Sequence, residues 1–188
     1  TLLGFGDLLI ESSLTREQLG WATQMESSGK GLLHRINDVL DATKIQSGRL
    51  ELHPAPFSLN EMTDELRRLY AAQLESNSLQ LTINNQLTSS DKRIGDLNRL
   101  LQIISNLLGN AIKFTQQGKI HLTLSECSPN QICFSLEDSG IGMSPEILES
   151  AFHPFEQGDQ RLNRDYSGIG MGLHISLQLA EAMGGTIE

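Results

Sequence analysis

The chain holds 188 residues with 14 Lys and Arg against 23 Asp and Glu, a formal charge of −9. That balance argues against nucleic acid as a partner, because duplex affinity rests on Lys and Arg neutralising phosphates; a nucleotide bound here would be held by local geometry and a metal ion. The length suffices for a real core in one domain, or in a domain plus a smaller unit. No apolar run approaches the roughly 18–20 residues that cross a bilayer, and no signal peptide is visible.

The first 48 residues read as helical. Leu2, Leu3, Leu8, Leu9 and Ile10 form an apolar set that stops at Glu11-Ser12-Ser13. Thr15-Arg16-Glu17-Gln18 is a capping box, opening a long helix to about Ser47 with Gly48 as its stop. Leu19, Ala22, Leu33, Ile36 and Leu40 follow alternating steps of three and four, a seam interrupted at Glu26 and Gly29. A hairpin this short cannot bury both faces alone, so it is expected to complete a four-helix bundle with a second copy.

His53-Pro54-Ala55-Pro56 breaks the helical pattern and reads as a linker, which divides the chain into 1–57 and 58–188. Ser58-Leu59-Asn60-Glu61 reads as a second capping box, heading a helix to about Ser76. Leu79–Ile83 alternates as a strand does, Asp96 is placed to cap a helix over Leu97–Phe114, and Lys119–Glu126 with Gln131–Glu137 suggests a hairpin. Cys127 and Cys133, the only cysteines, match no zinc spacing and read as two reduced, partly buried thiols. Ser144 and Pro145 open a short helix to Ala151, residues 156–167 form a polar loop bearing Arg161 and Arg164, and a last helix runs from about Gly172 to Met183. Strands mixed with helices after the linker predict a sheet covered by a helical layer.

Three stretches could carry chemistry. On the helix Leu97–Phe114, Arg99, Gln102, Asn106, Asn110 and Lys113 fall within an arc of about 80°. Amide oxygens are hard ligands and an ammonium is a point charge, so this face suits a Mg²⁺-phosphate group; an ordinary solvated face would look the same. Asp138-Ser139-Gly140-Ile141-Gly142 follows a strand: the carboxylate can accept from an exocyclic amine, and the glycines let backbone approach a flat ring, or the segment is a tight turn. Gly168-Ile169-Gly170-Met171-Gly172-Leu173 opens the last helix, where exposed N–H groups and the helix dipole favour an anion. A dinucleotide fold does not fit, because a polar loop precedes these glycines and no strand follows them with the acidic residue.

The order of these stretches is distinctive. NLLGNAIKFT, EDSGIGM, FHPFEQGD and GIGMGLHIS resemble the N box, first glycine box, F box and second glycine box of sensor histidine kinases. GFGDLL near the start and INDVLDATKIQSGRLELHPAPFSL resemble the same family's dimerisation hairpin and linker, so the resemblance covers essentially the whole chain.

What the resemblance implies is an α+β protein: a helical hairpin forming half of a dimeric four-helix bundle, then a GHKL-type α/β sandwich with one mixed sheet and a helical layer. Asn110 would be the main Mg²⁺ ligand, with Asn106 supporting the metal and Lys113 reaching phosphate. Asp138 would accept the adenine amine of ATP in a pocket shaped by Gly140 and Gly142. Phe152 and Phe155 would anchor a lid, while Gly168, Gly170 and Gly172 present N–H groups to phosphates, and Phe114 and Leu173 complete the nucleotide-binding set. Such a core transfers the γ-phosphoryl group to a histidine on the hairpin, for relay to an aspartate of a receiver domain or response regulator. The resemblance further implies a homodimer in the cytoplasmic portion of a protein anchored in a bacterial inner membrane.

Some positions depart from the family pattern. The acceptor histidine is expected upstream of Thr1, because none of His34, His53, His121, His153 and His174 has the following acidic residue and proline, and further strands are expected beyond Glu188. Ile169 and Met171 stand where Thr and Leu are common. A second reading is therefore a catalytically weakened module that acts by pairing with another histidine kinase. A GHKL ATPase of the chaperone or topoisomerase type fits less well, given the hairpin and Lys113.

Overall fold

The computed structural model describes residues 2–10, 12–128, 131–154 and 170–188. The chain divides into two units, Thr1–Leu50 and Glu51–Glu188.

In the first unit, α1 (Leu2–Ile10) packs against α2 (Arg16–Gln46). The Thr15 capping box is formed in full: its hydroxyl accepts from the Gln18 amide at 3.3 Å, and the Gln18 side chain accepts from the Thr15 amide at 3.0 Å. The helix ends as expected at Gly48, whose φ of 65° lets Gly48 and Arg49 donate to the carbonyls of Ile45 and Lys44. Ala22 is buried, whereas Leu19, Leu33, Ile36 and Leu40 of the seam are exposed within this single chain.

In the second unit, the segment read as a linker forms strand β1 (Ala55–Ser58), which pairs antiparallel with β3 (Lys92–Gly95). Pro56 is tolerated because this ribbon has two strands and the missing N–H faces no further neighbour. Between them lie α3 (Leu59–Ser76) and β2 (Leu79–Asn85). Ser58 caps α3 by accepting from the Glu61 amide at 3.2 Å, but the reciprocal half of the expected capping box is not formed, and the Ser58 hydroxyl donates to Asp91.

Helix α4 (Leu97–Phe114) follows, then β4 (Gly118–Ser128) and β5 (Gln131–Asp138), then α5 (Pro145–Ser150) and α6 (Gly172–Ala182). The larger sheet is mixed, as expected: β2 runs parallel to β4, and β4 antiparallel to β5. One face of it is covered by α3 and α4. Leu59, Met62 and Leu66 of α3, Leu79 and Ile83 of β2, Ile104, Leu108 and Ile112 of α4, and Ile120, Leu122 and Leu124 of β4 make one core. Burying each of these side chains stabilises by about 1.5–3 kcal/mol relative to exposure.

The cysteines depart from the expectation of free thiols, since Cys127 and Cys133 are joined as a disulfide. A bulge at Cys127 interrupts the register between Glu126↔Ile132 and Ser128↔Gln131, which brings the two Cα atoms to 5.8 Å, within bridging range. Among the described residues no helix is long and apolar enough to cross a membrane.

Candidate functional site

Helix α4 is the spine of the site. Asp96 caps its first turn, accepting from the Arg99 amide at 3.2 Å, and its apolar stripe is committed to the core. Its polar face therefore points away from the sheet. Along that face Arg99 donates to Gln102 at 2.8 Å, and Asn106, Asn110 and Lys113 are each half-buried.

Asn106 is partly engaged by protein. Its amide nitrogen donates to the Gly172 carbonyl at 3.4 Å and to the fully buried Ser176 hydroxyl at 3.2 Å, both on α6. Met171, Ile175, Leu179 and Ala180 are buried along that helix, which packs on α4. The amide oxygen of Asn106 and the whole side chain of Asn110 make no hydrogen bond among the described residues. Lys113 lies over the Phe114 ring at 4.8 Å, and burial pushes its ammonium below the ordinary lysine pKa.

The loop after β5 meets the far end of α4. Ile141 donates to the Phe114 carbonyl at 3.3 Å, and Asp138 accepts from the Gly140 amide at 2.8 Å. A Cβ on Gly140 would sit 2.6 Å from the Phe114 carbonyl oxygen, so only glycine fits this approach. Ser139 is held to the start of β4, accepting from the Lys119 amide at 3.0 Å. Beside it Thr115 is 2% exposed, and its hydroxyl oxygen has no hydrogen-bond partner among the described residues. The exposed Asp138 carboxylate thus stands next to the last turn of α4, about 12 Å along the helix from Asn106.

Not every candidate is brought into view. Gly170 has a φ of 74° and Leu173 is half-buried at the start of α6. Phe152 is half-buried and its carbonyl contacts His174 Nδ1 at 2.9 Å, which ties the F-box segment to α6. Phe155, Arg161, Arg164, Gly168 and Ile169 lie outside the described residues. Ser176, Thr115 and His174 are contributors that sequence reading missed. Ser176 had a signal in its spacing, one helical turn after Gly172.

The donor set fits a metal-chelated nucleotide. Among the described residues no cluster of three His, Cys, Asp or Glu is present, so a hard cation here would rest on amide oxygens and on the phosphates it accompanies. The exposed Asp138 carboxylate, with open space beside the backbone at Gly142, suits a flat group with a polar edge.

A helical layer on a mixed sheet is also the architecture of solved histidine kinase catalytic domains. The chain belongs to the histidine kinase-, DNA gyrase B- and HSP90-like ATPase family, which residues 95–188 match. It is 38% identical to the signal transduction histidine-protein kinase BarA of Escherichia coli (strain K12), over 100% of this chain and 21% of that protein. It is likewise 38% identical to the sensor histidine kinase GacS of Pseudomonas protegens, over 99% of this chain and 21% of that protein. The chain therefore spans about a fifth of these relatives. Full-length ShkA, solved in complex with AMPPNP, superposes with a TM-score of 0.76 at 31% identity, over 97% of this chain and 37% of that one. The catalytic domain of the histidine kinase ThkA superposes at 0.58 with 25% identity, over 71% of this chain and 82% of that domain.

Proposed function

We propose that this chain is the catalytic core of a two-component sensor histidine kinase. It binds Mg-ATP and transfers the γ-phosphoryl group to a histidine on the dimerisation hairpin, for relay to a receiver-domain or response-regulator aspartate. The observation that carries this reading is the tie between the Asp138 loop and the last turn of α4, which sets a carboxylate at one end of a helix bearing Asn106, Asn110 and Lys113.

In this reading Asp138 accepts the adenine amine, while Gly140 and Gly142 keep the pocket open for the ring. Phe114 lines it. Asn110, with Asn106, holds Mg²⁺ through amide oxygens, and Lys113 reaches phosphate. When bound, the ion neutralises charge on the phosphates during transfer. Gly168, Gly170, Gly172 and Leu173 close the phosphate end, with Phe155 in the lid. The exposed Leu33, Ile36 and Leu40 support a homodimer, in which a second copy completes a four-helix bundle. The units Thr1–Leu50 and Glu51–Glu188 then serve as the hairpin and as the ATP-binding domain. The portion is cytoplasmic, in a protein anchored in a bacterial inner membrane.

Calorimetric titration with Mg-ATP tests the reading. Binding at or below millimolar concentration, weakened by Asn110→Ala, supports it. No heat of binding up to that concentration overturns it.

A further inference from the structure

The backbone entering the second unit is fastened at one atom to the spine of the site. The His53 amide donates to Asp96 Oδ2 at 2.9 Å, while Asp96 Oδ1 accepts from the Arg99 amide in the first turn of α4. One buried carboxylate thus joins two chain segments 43 residues apart. Pro54 and Pro56 lack N–H groups, so His53 and Ala55 hold the only amide donors in this four-residue stretch. From Ala55 onward the same segment is laddered to β3, which leads directly into Asp96. Six residues separate His53 from the end of α2 at Gln46.

Helix α4 is held at its other end by the bond from Ile141 to Phe114. A change at His53 therefore reaches α4 through its first turn, the end of the helix to which Asn106 lies nearer than Phe114 does.

Resting on the nucleotide reading above, we propose that Asp96 is a positioning residue. It transmits the placement of the chain at His53 to α4, and so sets the geometry of the phosphate end of the site rather than its adenine end. Displacement of the chain at His53 would then alter how Mg-phosphate is held without changing how adenine is held.

The test uses the 188-residue chain with three variants. His53→Pro deletes the donor amide, His53→Ala keeps it and removes the side chain, and Asp96→Asn keeps a capping oxygen but leaves one acceptor for two donors. Two readouts are taken: hydrogen–deuterium exchange at Arg99 and Leu100, and affinities for Mg-ATP and for adenosine. His53→Pro should speed exchange and weaken Mg-ATP about tenfold, as expected for a hydrogen bond to a charged group, with adenosine affinity unchanged. Asp96→Asn should act in the same direction, and the double variant should be no worse than the more damaging single change. His53→Ala should match the wild type.

Equal weakening of Mg-ATP and adenosine, equal effects of His53→Pro and His53→Ala, or wild-type exchange in His53→Pro would each overturn the proposal. A wild-type chain that binds no Mg-ATP sinks the nucleotide reading instead, and the exchange rates still decide whether His53 and α4 are mechanically joined.

Discussion

The Ile141 amide donates to the Phe114 carbonyl at 3.3 Å, and between them Gly140 lies so close to the helix end that no side chain fits. This contact decides where the Asp138 carboxylate stands relative to α4. Two of the three nearest atoms, the Phe114 carbonyl carbon and oxygen, are backbone and cannot swing aside, and the third is the Asp138 carboxylate itself. Gly140→Ala should therefore cost about 1–3 kcal/mol of stability, the usual range for overpacking, and should weaken nucleotide binding. Urea denaturation beside calorimetry checks this; a variant as stable as the wild type would mean the loop is packed differently.

Asp138 should separate stability from binding. Asparagine at this position still offers an oxygen to the Gly140 amide, so Asp138→Asn should shift the unfolding midpoint little. It replaces a charged acceptor with a neutral one, and nucleotide affinity should fall about tenfold. A parallel loss in thermal melts would assign the carboxylate a structural role.

Asn106 has a second duty besides any ligand contact. Its nitrogen bonds to the Gly172 carbonyl and to Ser176, whose side chain is fully buried. Asn106→Ala should cost about 1–3 kcal/mol by leaving those groups unpaired. A double-mutant cycle with Ser176→Ala should return a coupling of about 0.5–1.5 kcal/mol in urea unfolding. Strict additivity would show that the two side chains do not interact.

Asp96 makes stability depend on acid. Burial pushes its carboxyl up, but hydrogen bonds from the His53 and Arg99 amides, with the Arg99 charge, hold it below the ordinary carboxylate range. A folded-state pKa below the unfolded one means that the unfolded chain takes up protons first. The stabilisation from Asp96 is thus fully present above about pH 4 and is lost as pH falls through the lowered folded value. Melting temperatures measured from pH 7 to pH 3 should fall less steeply in Asp96→Asn than in the wild type.

Much of this protein was legible before folding because its signals are local. Thr15, Ser58, Asp96 and Ser144 each accept from an amide three residues on, and Gly48 stops its helix by adopting positive φ. The stripe on α4 could be drawn from the helical repeat alone, and it committed Ile104, Leu108 and Ala111 to the core. The strand β1 was not legible, since four residues containing Pro56 carry no periodicity, and their partner lies at 92–95. The cysteine bridge was hidden for a related reason, because it depends on a bulge that shifts the hairpin register at Cys127.

Residue order along one helix therefore determined which amides and which lysine share a face, as well as where each helix starts and stops, because capping and periodicity act over three or four positions. Tertiary structure alone decided that Asn106 leans on a helix 66 residues away, that Asp138 stands at the end of α4, and that His53 hangs from Asp96. Those pairings join residues far apart in the chain, and which donor meets which acceptor depends on how the layers close.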